Sequence, residues 1–213
     1  MELFVYLTVV FALILAALLV RVWFMSFRGQ RPDEYIGLGP DLDLRHHLNG
    51  ENICEGVIFG PTGRMTSRFH ATMTGRWQGD DGMIDVDFVF DGGATQSRSW
   101  HLTLEDGGRV IAEAEDTKGR GHGRITGPTL QLLYTIVLPD DAGGHTMKVT
   151  DWMYLTEAGT ILNRSQFRKG GILAAELVAT IRKKDGQTCE SGKENDTGLS
   201  GRPKGLDVPL QKS

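Results

Sequence analysis

From residue 53 to residue 183, apolar side chains recur at every second position and turn residues interrupt them about every ten. A two-residue period is the period of a strand with one face in a core, so this chain is built for antiparallel sheet. Phe69, Ala71, Met73, Gly75 and Trp77 share one face, and Gly79-Asp80-Asp81-Gly82 turns the chain. Ile84, Val86, Phe88 and Phe90 take the next face, with Asp85 and Asp87 opposed to them. Trp100, Leu102 and Leu104 follow, then Val110, Ala112 and Ala114. Leu130, Leu132, Tyr134, Ile136 and Leu138 alternate most regularly, and Met147 to Leu155 and Ile161 to Phe167 continue the pattern. The last strand is Ile172 to Arg182, whose alanine-rich centre also admits a short helix. The 28 glycines, spread along the chain, suit the many tight turns such a protein needs.

Eight to ten strands are expected. Because sequential hairpins usually pair with their neighbours, the predicted fold class is all-β: an antiparallel up-and-down barrel or a strongly curled sheet.

Ahead of the strands, Leu3 to Val20 runs eighteen residues without a charge or a proline. A helix crossing about 30 Å of hydrocarbon needs about 20 such residues. A cleaved signal peptide would have a basic start and a small-x-small exit, whereas here Glu2 precedes the run and Val22-Trp23-Phe24-Met25 ends it. An uncleaved transmembrane anchor over residues 1–28 is therefore expected. A polar connector is expected over 29–52, where Gly37, Gly39 and Pro40 oppose a helix, and the β domain over 53–183. Residues 184–213 have almost nothing apolar to bury and read as a disordered tail. Arg21, Arg28 and Arg31 follow the helix, which by the positive-inside rule puts the domain in the cytoplasm.

Chemistry is sparsely signalled. A net charge of −4 implies no nucleic-acid partner. Cys54 and Cys189 are far apart and form no metal-binding spacing, so two free thiols are expected. His46-His47 near Cys54, and His122 between two glycines, lack further ligands, and no metal or cofactor is expected. Gly119 to Gly127 lacks the lysine of a phosphate loop and reads as a flexible turn or bulge. No catalytic signature is present, and an enzyme ranks third among the function classes.

The informative residues are polar ones on apolar faces. Alternation puts Arg98 with Trp100, Leu102 and Leu104, Asp151 with Met147, Val149, Met153 and Leu155, and Asn163 with Ile161 and Phe167. An ionised group on a core face is costly unless paired, so Arg98 and Asp151 are expected to pair with each other. Two readings stay open: an internal salt bridge that fixes register, or the polar end of a ligand cavity. The ligand-contact candidates are Arg98, Trp100, Asp151, Trp152 and Asn163.

Several words of the sequence resemble the bacterial family known as domain of unknown function 3833. They are Gly60-Pro61-Thr62-Gly63-Arg64, Gly75-Arg76-Trp77, Arg98-Ser99-Trp100, Ala114-Glu115-Asp116 with Gly119, and Leu138-Pro139. The most specific run is Asp151-Trp152-Met153-Tyr154-Leu155, followed by Asn163-Arg164-Ser165 and Lys169-Gly170-Gly171. The resemblance spans about residues 50–183 and implies a small β domain of the bacterial envelope with no established activity. Many members look like lipoproteins exported to the periplasm, but this anchor has no cysteine to carry a lipid. The resemblance favours a single-pass inner-membrane protein with a periplasmic domain; the arginines favour the cytoplasmic face. A fainter likeness to lipocalins rests on Gly75-Arg76-Trp77 and Thr150-Asp151-Trp152, with Arg164 or Arg182 downstream.

The function these features point to is a membrane-tethered binding module holding an apolar small molecule or a fatty-acid-like lipid. The alternative is a non-enzymatic structural or interaction protein of the envelope with a packed interior. The oligomeric state is left open.

Overall fold

The computed structural model describes residues 1–24, 26–138 and 144–184. The expected disordered tail lies, but for Lys184, outside the described residues.

The chain opens with helix α1, Glu2–Phe24, apolar on all sides rather than along one stripe, as befits a helix with no protein core to face. Its span Glu2–Arg21 is long and apolar enough to cross a membrane, and none of it is buried against the rest of the chain. Two 3-10 turns follow, Phe27–Gly29 and Pro32–Tyr35, and then a single-turn helix α2, Leu44–His47, capped by the Asp43 carboxylate.

Among the described residues, ten antiparallel strands close into a barrel in which each pairs with its neighbour in sequence and the first pairs with the last. They are β1 Gly50–Phe59, β2 Met65–Gln78, β3 Asp81–Phe90, β4 Thr95–Glu105, β5 Arg109–Glu113, β6 Gly121–Thr126, β7 Thr129–Val137, β8 Thr146–Leu155, β9 Ile161–Lys169 and β10 Ile172–Lys183. The seam runs from Asn52 opposite Lys183 to Phe59 opposite Glu176. The fold is the expected up-and-down barrel, at the upper end of the expected strand number. The alanine-rich stretch before Arg182 is strand throughout, and Gly121–Thr126, within the segment read as a turn, is β6.

The two ends differ. At one end the chain from 41 to 49 folds under the barrel: Leu42, Leu44 and Leu48 are all but inaccessible and join the core cluster. Leu42 N–H donates to Gly127 O, and Arg45 reaches Asp80 in the β2–β3 turn. A Cβ on Gly75 would lie 1.7 Å from Leu48 O, so this plug seats directly on β2. Toward the other end the inward-facing Ile58, Phe88, Phe90, Met147, Phe167 and Leu177 are only partly buried, with Phe69 and Ile136 buried among them; near the plug Leu102, Leu130, Leu155, Ile161 and Ile181 are buried and Trp77, Leu104 and Ile125 partly so. The plug thus closes one end, and among the described residues no such segment covers the other, at the hairpins β1–β2, β3–β4 and β9–β10.

Candidate functional site: a cavity with a polar layer

The barrel interior encloses a cavity of about 130 Å³. Its walls are mostly apolar, with Phe69 and Phe88 toward the open end and Leu48 of the plug beneath. Strand parity brings the polar exceptions inward near the middle of their strands. Asp151 on β8 is opposite Ser165 on β9, and Met153 is opposite Asn163. All three polar residues are buried.

Asp151 Oδ1 accepts from Ser165 Oγ at 2.8 Å and, in a tight contact, from Asn163 Nδ2, which also donates to Trp152 O. Burial pushes the Asp151 carboxyl above the usual carboxylate range; the Ser165 and Asn163 donors and the Arg98 charge oppose that rise. Beside it, burial and then Asp151 and Glu55 raise the Cys54 thiol to about 12, so this buried, free cysteine is a neutral lining group.

Arg98 does enter the barrel, but its ion pair is with Asp116 and not with Asp151. Nε donates to Asp116 Oδ1 at 3.0 Å, and Nη2 lies 2.9 Å from the same oxygen without hydrogen-bond geometry. Asp116 follows β5, in the connection between the two shortest strands of the barrel, β5 and β6. The turn around it is fastened to β7 by Val137 N–H to Asp116 O and Lys118 N–H to Thr135 O. The guanidinium stacks 4.1 Å above Trp100 and 5.6 Å from the Tyr134 ring, and those two rings meet edge to face at 5.1 Å. Burial raises the Tyr134 hydroxyl pKa, Asp151 adds to that and Arg98 opposes it. Arg98 and Asp151 thus feel one another's charge across Tyr134 while each holds separate partners.

The structure gathers four of the five candidates, Arg98, Trp100, Asp151 and Asn163, around one cavity. Trp152 is elsewhere. The same parity that turns Asp151 inward turns Trp152 outward, where it is wholly buried. Tyr35 covers it, ring centroids 5.5 Å apart, and Tyr154 stacks beside it at 5.9 Å. Gln30 Oε1 accepts from both Tyr35 and Tyr154 hydroxyls, and Arg164 lies over the Phe27 ring at 4.7 Å. The stretch after α1 is thus strapped down the outer wall before it turns under as the plug. Residues the sequence reading passed over are Tyr134 and Ser165, both legible by parity, and Asp116, which sits on a turn where parity gives no signal.

Among the described residues no cluster of metal-ligating side chains occurs. A family model described as "Protein of unknown function (DUF3833)" matches residues 21–183. No curated protein matches the chain. Among solved structures, a redesigned β-barrel, mFAP1, bound to DFHBI is 10% identical, the match covering 64% of this chain and 95% of that one at a TM-score of 0.35. EF1p2_mFAP2b bound to DFHBI is 12% identical, covering 65% and 94%, with the same TM-score. Scores this low transfer nothing to this chain.

Proposed function

We propose that this chain, which belongs to the DUF3833 family of proteins of unknown function, is a membrane-tethered binding module whose barrel holds an apolar small molecule or lipid. The observation that carries the reading is the interior cavity: apolar walls, an open end, and a layer where Arg98, Tyr134 and Asp151 offer donors and an acceptor. Apolar pockets with a few convergent polar groups are the usual form of a small-molecule site. The apolar part of the ligand lies against Phe69, Phe88 and Phe167, and its polar end meets Arg98 and Asp151, with Trp100 and Asn163 in contact. Trp152 takes no part in this contact, being on the outer face.

A cavity of about 130 Å³ is close to the ~150 Å³ void that admits a benzene-sized molecule. A long acyl chain therefore requires the half-buried side chains of the open end to swing outward. Helix α1 is the tether, placed by this reading in a bacterial inner membrane with the barrel on the periplasmic side; the family resemblance supports that face and the arginines after the helix oppose it.

Native mass spectrometry of the full chain after mild detergent extraction tests the binding. Co-purifying lipid, or saturable displacement of an environment-sensitive apolar dye, is the expected result, and Leu177→Trp, which fills the open end, should abolish it while preserving the melting transition. An unliganded mass with no dye uptake by the wild-type chain would instead establish a packed interior and a structural role.

A further inference from the structure

We infer that the open rim of the barrel, over the β9–β10 and β1–β2 hairpins, docks on the surface of the bilayer that α1 spans. The inference rests on the tethered reading above and adds to it an orientation and a contact surface.

Only residues 25 and 26 separate the end of α1 at Phe24 from Phe27, which is buried against the barrel wall beside Arg164. Three peptide units reach at most about 11 Å. The barrel therefore cannot swing on a long leash; Phe27, seated against its β9 wall, is held within that distance of the helix end.

The direction of the strap then says which end is nearer. Phe27 meets Arg164 on β9, Gln30 meets Tyr154 near the end of β8, and Asp33 meets Arg124 on β6. By Leu42 the chain has reached Gly127 at the closed end. It meets the wall about midway along β9, where Arg28 also feels the charge of Arg168 toward the open end, and runs from there to the closed end, so the open end is the one turned to the lipid.

Side chains on that sector suit an anionic interface. Ile172, at the tip of β9–β10, is 75% exposed, and Met65, at the adjacent β1–β2 tip, is 55% exposed. Lys148 and Arg168 are cross-strand neighbours beneath the tip, Lys169 adjoins it, and the Arg28 charge reaches Arg168. Among the described residues, Glu176 on the adjoining β10 is engaged by Arg164 and Gln166. The turns of the closed end carry Asp80, Asp106 and Glu157, and the described acids of the open-end connections, Asp91, Glu115 and Asp116, lie on the β3–β6 side of the barrel, away from this sector. Exposed apolar tips beside Lys and Arg are what a head-group surface rich in anionic lipid attracts.

The test uses the full chain in liposomes of phosphatidylcholine and an anionic phospholipid. Fluorophores are attached at Ile172→Cys, Glu157→Cys or Leu15→Cys in a Cys189→Ser background, where Cys54 is buried and unreactive. Quenching by nitroxide-labelled lipids is the readout. We expect Leu15 and Ile172 to lose most of their emission and Glu157 to keep it, and replacing Lys148 and Lys169 by Gln to weaken the loss at Ile172. Quenching at Leu15 with Ile172 no more quenched than Glu157 overturns the docking and leaves the tether intact. No quenching at Leu15 overturns the tether, and the docking with it.

Discussion

Asp151 is the side chain whose protonation the barrel controls most directly. Buried at mid-barrel, it holds its proton to higher pH than an unfolded aspartate does. Because folding raises its proton affinity, its contribution to stability is present in acid and is lost as pH climbs through the folded-state value. Asp151→Asn keeps an acceptor for Ser165 and Asn163 and removes the ionisation. Its melting temperature should exceed that of the wild type at neutral pH, and the difference should shrink toward about pH 4, where an ordinary aspartate begins to protonate. Parallel pH profiles from 4 to 8 in thermal melts check this. Arg98→Met should cost about 1–3 kcal/mol by denaturant titration, less than a fully buried pair because Asp116 keeps about a third of its side-chain surface in water. Parity alone was enough to send Arg98, Asp151 and Asn163 inward. It could not choose the partner of Arg98, because Asp116 lies on a turn that has no face, and a turn is placed by the elements it joins.

At the scale of elements, the plug is the part least visible beforehand. Glycines and a proline at 37–40 make residues 29–52 look like a solvated connector, and three leucines spaced two and four apart match neither a strand nor a helix for long. They are nonetheless core, because the barrel end offers them a surface that only the closed sheet creates. Leu44→Ala should destabilise the protein by about 2–5 kcal/mol, measured by denaturant titration. Gly75→Ala should do at least comparable damage, since the added methyl meets the carbonyl of Leu48 and not a side chain that can rotate away. Strand β6 was hidden for a related reason. Gly121 and Gly123 remove the alternation that marks a strand, yet a Cβ at Gly123 would lie 2.7 Å from Gln131 O, so the close approach of β7 requires the bare backbone.

For the whole molecule, α1 ends at Phe24 and the chain packed on the barrel begins at Phe27, so the proposed division between tether and barrel falls between them. Removing residues 1–25 should leave a cooperative melt at nearly the same temperature, whereas removing residues 1–49 should broaden or abolish it by opening the closed end; circular dichroism on both fragments distinguishes them. The barrel's seam has a further consequence in time. Strand β1 can complete its pairing only with β10, more than a hundred residues later in the chain. Closure is thus a high-contact-order event, whose loop entropy is lost before the seam's hydrogen bonds are gained. During synthesis the sheet must wait as an open ribbon with two bare edges until residue 183 has emerged, by which time α1 has long been available for insertion. Such a protein is exposed to edge-to-edge association for nearly the whole interval of its making, and its dependence on chaperones should be greatest then.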